Sequence, residues 1–322
     1  MVVTHNALLR SLKVLVLENC TFGDKKFPDA VRKLVMLKHL SVRYSWVWEV
    51  PKFVCKLPCL QSLDLRVAGC CNKLPSSIGK MGQLRHLFVN PGNIITIDGG
   101  RLRLDGLTEL ETLIGFSSKL FDTNHLLKLT NLRRFHAIVD DIESLFVVVD
   151  HIIKLKDQLR EASLEISMGH DLSSEQRSLV IDSIKYCPLN YLSIYGKLRR
   201  LPTWDPQLLQ NLVFLVLSGS EIVEDPMETL QHLPTLRTLL LGNDAFVGTE
   251  MVCGSKGFPQ LKSLTLWGLR NLVGWRVEEE AIPNLSDLWI CDCPKLEMVP
   301  KRIIYMASIS RTPSNLMERL RR

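Results

Sequence analysis

Aliphatic residues return along this chain in one frame: a leucine, two residues, a second leucine, one residue, then a third aliphatic. In the first third the clear copies are Leu12-Leu15-Leu17, Leu37-Leu40-Val42, Leu60-Leu63-Leu65 and Leu84-Leu87-Val89. Leu110-Leu113 and Leu132-Phe135 follow less regularly, and Leu159-Ala162-Leu164 is a weak copy. The frame then sharpens as Leu189-Leu192-Ile194, Leu212-Leu215-Leu217, Leu236-Leu239-Leu241, Leu261-Leu264-Leu266 and Leu285-Leu288-Ile290. Side chains alternate between the faces of a strand, so each copy predicts a short strand with its aliphatics inward and the intervening residues outward.

The middle residues of the twelve copies are spaced by 25, 23, 24, 26, 22, 27, 30, 23, 24, 25 and 24 positions. That period falls within the roughly 20–29 residues of leucine-rich repeats. A second element follows several strands: Phe27-Pro28…Val31, Val50-Pro51…Val54, Leu74-Pro75…Ile78, Leu201-Pro202 and Val299-Pro300…Ile303. Proline presets the backbone for a return turn, and the aliphatics around it fill the back of the core. One coil cannot bury its own apolar face, so the coils must stack as a quasi-one-dimensional array. The fold expected is an α/β repeat solenoid, a leucine-rich-repeat horseshoe. Its parallel β-sheet lies on the concave face, with loops, short helices or 3-10 turns on the convex face.

The ninth position of each copy often holds a small polar residue able to bond neighbouring turns, here Cys20, Ser45, Ser220, Asp244 and Cys293; Ala68, Lys197 and Leu269 interrupt that ladder. Residues 140–159 and 173–186 have helical length and apolar recurrence, the second opening on Ser173 or Ser174 as helix cap. They account for the stretched spacings of 27 and 30. Glycine-bearing stretches at 92–106 and 242–257 read as longer edge loops. The domain expected is 1–303 with about twelve repeats, followed by 304–322 as a C-terminal cap or frayed basic tail.

Composition narrows the picture. The 322 residues are 46% hydrophobic and 23% charged, ordinary for a folded protein. Forty basic against thirty-four acidic residues leave a net charge of +6, without the long basic runs of nucleic-acid arms. The opening residues lack a secretory pattern, and no stretch is long and apolar enough for a membrane span. Nine cysteines without a paired framework fit a reducing compartment, so the expected location is the cytoplasm.

Candidate chemistry is sparse. The stretch 248–256, GTEMVCGSK, has five residues between its glycines and a serine before the lysine, which misplaces a phosphate cradle; an ordinary loop is expected. Cys291 with Cys293, Cys55 with Cys59, and the adjacent Cys70 and Cys71 lack zinc-ligand spacing and read as core or ladder residues. Neither GxSxG nor HExxH occurs. Asp140, Asp141 and Glu143 sit where a helix starts, a place that favours negative charge. No catalytic residue, metal or cofactor is expected.

The functional signal lies in the outward strand positions. In the first six copies these are Lys13, Lys38, Arg43, Arg66, Arg85, Arg133 and Arg134 against Glu18, Asp64 and Glu111, with His39, Tyr44, His86 and His136 among them. In the later copies they are Tyr191, Tyr195, Phe214, Arg237, Lys262, Trp267 and Trp289, with Asp287 and Asp292. Exposed aromatic residues and arginine are the usual anchors of protein interfaces. The expectation is a basic early face that docks an acidic surface and a more aromatic later face that meets a recognised protein. Nucleic acid is a disfavoured partner, because acids intersperse the bases.

The run LPSSIGKMGQLRHLFV, followed by LDGLTELETLIGF and LLKLTNLRRF, resembles the repeat region of plant intracellular nucleotide-binding leucine-rich-repeat disease-resistance proteins, of the coiled-coil class. FPQLKSLTLWGLRNLVGW and IPNLSDLWICDCPKLEMVPKRI are similar to the last repeats of that class, and the resemblance covers about residues 8 to 303. It implies recognition: a repeat domain that restrains a nucleotide-binding domain and senses a pathogen effector or a guarded host protein. This chain opens almost inside a repeat, at Leu8 or Leu9, so ATP switching is not expected of it alone. A stand-alone cytosolic scaffold or adaptor is the alternative expectation. A ligase adaptor would need a docking motif ahead of Leu8, for which there is no room.

Overall fold

The computed structural model describes residues 11–23, 26–69, 71–167, 172–201, 209–297, 299, 300, 303 and 308–310. Leu8, Leu9, Cys70, Pro202 and most of the tail lie outside them. The chain forms two compact units, Met1–Val139 with Glu143–Ala162, and Asp140–Ile142 with Ser163–Arg322.

In the first unit, strands β1 (Val14–Val16), β2 (His39–Ser41), β3 (Ser62–Leu65), β4 (Cys71–Pro75), β5 (His86–Val89), β6 (Ile94–Asp98), β7 (Thr112–Ser117) and β8 (Arg134–Val139) precede helix α1 (Ile142–Lys154). The boundary falls early in β9 (Glu161–Ser167), most of which belongs to the second unit. The sheet runs β1-β2-β3-β5-β7-β8, every pair parallel. Its register sets Leu15, Leu40, Leu63, Leu87, Leu113 and Phe135 in one row, the middle residues of the sequence frame. From Leu40 onward every member of that row is fully buried.

The return path explains how the coil closes. Pro28 O accepts from Val31 N at 3.1 Å and Pro51 O from Val54 N at 3.0 Å, opening one-turn 3-10 segments behind the sheet. From there aliphatics step inward every third residue: Val31-Leu34-Leu37-Leu40, Val54-Leu57-Leu60-Leu63, Ile78-Met81-Leu84-Leu87. A stride of three suits 3-10 geometry.

The second unit carries α2 (Ser174–Ile184), β10 (Tyr191–Tyr195), β11 (Phe214–Ser218), α3 (Pro226–Leu230), β12 (Thr238–Gly242), β13 (Glu250–Cys253), β14 (Ser263–Trp267), β15 (Gly274–Val277), β16 (Asp287–Cys291) and β17 (Ser308–Ser310). Its sheet runs β9-β10-β11-β12-β14-β16-β17, again parallel. Ser173 caps α2 in a capping box with Gln176, so the first of the two candidate caps is used.

Three sequence expectations are corrected. The glycine stretches at 92–106 and 242–257 are not bare loops: β6 pairs with β4, and β13 with β15, as two-stranded parallel side sheets. The weak copy at 159–164 has its register fixed against β10, where Leu164 rather than Ala162 stands beside Leu192. Within the expected C-terminal segment 304–322, Ser308–Ser310 forms β17, whose Ile309 pairs with Leu288. Finally, the ninth-position ladder is partial. Ser45, Asp244 and Cys293 bond neighbouring coils, whereas the buried hydroxyl of Ser220 has no partner.

A different ladder carries that role. The residue before the opening leucine reaches the preceding coil in one repeated geometry: Gln83 donates to Pro58 O (2.5 Å), Asn131 to Thr108 O (2.9 Å), Thr235 to Gln210 O (2.7 Å) and Asn284 to Pro259 O (2.7 Å).

Candidate functional site

Strand register decides which outward side chains meet. In the first unit Lys13, Lys38, Gln61, Arg85, Glu111 and Arg133 form a backbone-bonded row at the strand starts, each next member's N–H donating to the carbonyl of the one before. Beside it run Val14, His39, Ser62, His86, Thr112 and Arg134, and then Val16, Ser41, Asp64, Phe88, Ile114 and His136. Neighbours within a row are about 4.8 Å apart, so cross-strand pairing is the rule.

That pairing changes the charge count. Arg66 binds Asp64 through its Nε (3.0 Å to Oδ1) and lies over the Phe88 ring at 4.8 Å. Arg85 pairs with Glu111 at 2.5 Å, and Arg134 Nε with Glu161 Oε2 at 2.7 Å. Arg43 stacks on Tyr44, 4.4 Å from the ring centroid. Among the described residues Lys13, Lys38, Arg43 and Arg133 make no ion pair. The expected basic face therefore keeps its uncompensated charge mainly at β1 and β2, with Arg133 further along. Glu161 was missed because it lies in the copy with the weakest frame.

The histidines are half-buried and bonded across strands. His39 Nδ1 is 2.8 Å from Ser62 Oγ, and His86 Nδ1 is 3.1 Å from Thr112 Oγ1. Burial pushes the His86 pKa down from its ordinary value, so His86 adds no charge to the face near neutral pH.

In the second unit the rows are Ser163, Tyr191, Phe214, Thr238, Ser263 and Asp287; Glu165, Ser193, Val216, Leu240, Thr265 and Trp289; then Ser167, Tyr195, Ser218, Gly242, Trp267 and Cys291. Tyr191 stacks on Phe214 with centroids 4.6 Å apart and planes at 12°. Trp267, 36% exposed, is held by a 3.1 Å hydrogen bond from its Nε1 to Asp292 Oδ2. Tyr195 and Trp289 are half-buried, while Arg237 and Lys262 are exposed. The middle row is not open to solvent as expected: Ser193, Val216, Leu240 and Thr265 are buried beneath the flanking side chains.

Two exposed aromatics fell outside the frame. Trp46 and Trp48, 47% and 51% exposed, follow Tyr44 at two-residue steps, with Ser45 and Val47 buried between them. That alternation was readable once the stretch after the strand was treated as extended, as its bridges Thr21↔Trp46 and Glu49↔Lys73 are.

The weaker chemical candidates resolve into structure. Residues 250–253 of the glycine stretch form β13, and Asp140, Asp141 and Glu143 stand at the start of α1. Cys71, Cys187 and Cys253 are buried, and burial lifts the thiols of Cys187 and Cys253 to about 12. Cys20 donates to a carbonyl of its own turn, Glu18 O at 3.4 Å, whereas Cys293 is shared between Cys291 O at 3.4 Å and Leu266 O of the preceding coil at 3.8 Å. Among the described residues no His, Cys, Asp and Glu cluster is placed to hold a metal ion, and no helix is long and apolar enough to cross a membrane.

Parallel strands at a 22–30 residue period, buried leucine rows and 3-10 returns define a leucine-rich-repeat solenoid. The family model described as leucine-rich repeat region matches residues 3–303, and the chain belongs to that family. It is 30% identical over 309 residues to disease resistance RPP8-like protein 3 of Arabidopsis thaliana, covering 96% of this chain and 33% of that protein. Disease resistance protein RPP8 of the same plant is 30% identical over 321 residues, covering 98% and 34%. The chain thus spans about a third of the length of these curated relatives. Among solved structures, the functional domain of InlJ from Listeria monocytogenes aligns with a TM-score of 0.49 at 14% identity, covering 94% of this chain and 60% of that one.

Proposed function

We propose that the chain is the recognition part of a plant disease resistance protein, a non-enzymatic module acting in the cytoplasm whose two strand faces bind other proteins. The observation that carries this reading is the pre-positioned aromatic face of the second unit, Tyr191 on Phe214 and Trp267 fixed by Asp292, in a chain related to disease resistance proteins. Rigid aromatic anchors lose little entropy on binding and supply most of an interface's energy. That face meets the recognised protein, a pathogen effector or a guarded host protein. The unpaired cations Lys13, Lys38, Arg43 and Arg133 dock an acidic surface on the nucleotide-binding domain of a longer receptor.

The test is a receptor chimera in which this chain replaces the repeat region of RPP8. Tyr191→Ala with Trp267→Ala should leave the far-UV spectrum and melting profile intact and abolish recognition-triggered cell death. An unchanged response would remove the aromatic face from the reading. Lys13→Glu, Lys38→Glu and Arg133→Glu together should weaken binding to the nucleotide-binding domain supplied in trans and flatten its salt dependence. Arg66→Glu and Arg85→Glu should do less, because those cations are already neutralised within the face.

A further inference from the structure

Away from the strand faces, the first unit carries a second, regular array of charge. The 3-10 turns Asp29–Lys33, Val54–Lys56, Ser76–Lys80 and Thr123–Lys128 all end on lysine. Each of these lysines stands two residues after the inward aliphatic of its coil, Val31, Val54, Ile78 or Leu126, so the four occupy one equivalent position. Lys33, Lys56 and Lys80 are on successive coils, 23 and 24 residues apart. The next coil has Gly106 at that place, where a Cβ would lie 2.6 Å from Gly79 O; the array resumes at Lys128. All four lysines are exposed, and among the described residues none has an ion pair.

Beside the first two rungs lies a cavity of about 390 Å³. Val35, Pro51, Phe53 and Pro58 line it together with the cations Arg32, Lys52 and Lys56. Arg32 lies over the Phe53 ring at 4.9 Å and pairs with Asp29, and Lys52 pairs with Asp98, which leaves Lys56 as the uncompensated charge there.

We propose that this lysine array docks an acidic helix of a partner protein, laid across the coils, with one aliphatic side chain in the cavity beside Lys56. A helix that presents one carboxylate per turn repeats about every 5.4 Å, and adjacent coils repeat about every 4.8 Å. At the strands the four steps from Lys33 to Lys128 amount to roughly 19 Å of coils against roughly 22 Å of helix, a difference within the reach of flexible lysine stems. The apolar part of the lining, Val35, Pro51, Phe53, Leu57 and Pro58, favours a protein over a nucleic acid, which has no aliphatic side chain to set against it. This surface is separate from both strand faces.

The probe is a fluorescein-labelled synthetic helix of about 16 residues, with glutamate once per turn on one face and leucine near one end. A peptide of the same composition in scrambled order is the control. Binding to the full chain is followed by anisotropy at low and high salt. The ordered helix should bind with one-to-one stoichiometry, roughly ten-fold tighter than the scrambled peptide. The charge-reversed chain K33E/K56E/K80E/K128E should lose that advantage while keeping its circular dichroism, and Val35→Asp should weaken the ordered helix alone. Equal affinity for both peptides overturns the proposal. So does binding of a single-stranded oligonucleotide or of phosphatidylserine vesicles that matches the ordered helix and is lost in the same variant.

Discussion

Ser45 and Ser220 occupy the same place in two coils, and only Ser45 bonds a neighbouring coil through its hydroxyl. The Ser45 hydroxyl donates to Leu17 O at 2.5 Å and accepts from Cys20 N at 2.9 Å, both in the preceding coil. Ser45→Ala leaves those half-buried groups without their partner and should cost about 1 kcal/mol in urea unfolding, whereas Ser220→Ala removes an unpartnered hydroxyl and should be neutral or slightly stabilising. His151 gives a residue-scale pH effect. It is buried on α1, edge-on to Phe135, with Nε2 unpartnered, and burial lowers its pKa from 6.5 to about 4. The unfolded chain therefore binds a proton first as pH falls. The stabilisation is full above pH 6.5 and drains away towards pH 4, by about 2 kcal/mol between pH 7 and pH 5. His151→Leu should flatten that part of the stability profile, and an equally steep profile in the variant would contradict the assignment. At this scale the sequence showed which side chains point outward. It could not show that Arg66, Arg85 and Arg134 are spent on Asp64, Glu111 and Glu161, because those pairs exist only once strand register is known.

At the scale of elements, β7 shows how one residue sets a local path. The pairing of β7 with β8 slips between Ile114 and Phe116, and Gly115 at the slip has φ +86. A Cβ there would sit 2.1 Å from Val89 O, so Gly115→Ala should lower stability by about 1–3 kcal/mol and raise the mobility of β7 in amide exchange. Strands whose leucine frame is intact were legible without the structure, because burial on one face dictates a two-residue period that only one register satisfies. Helix α2 was legible from its cap. The side strands β6 and β13 were not, since glycines and turn formers around them masked short β-branched runs such as Ile94-Ile95-Thr96-Ile97. β17 was hidden for a simpler reason: Ser308-Ile309-Ser310 holds one aliphatic, and its pairing to β16 supplies what its sequence does not.

Across the molecule, each coil touches mainly the coils on either side, and this shapes how damage spreads. Leu63→Ala would open a cavity in the first unit's core and should cost about 2–5 kcal/mol. In a nearest-neighbour array the extra amide exchange should be greatest in β2, β3 and β5 and fade by β8. Uniform acceleration through that unit would mean it opens as a single cooperative body. The same arrangement bears on inheritance. His39 pairs with Ser62 and Ser62 with His86, in identical register. Excising the 24 residues from Ser62 to Arg85 would bring His39 directly against His86, with leucine still facing leucine. Unequal recombination between the matching stretches of such a gene can therefore add or drop a whole coil in frame. Its descendants would inherit longer or shorter binding surfaces without having to evolve a new way to fold.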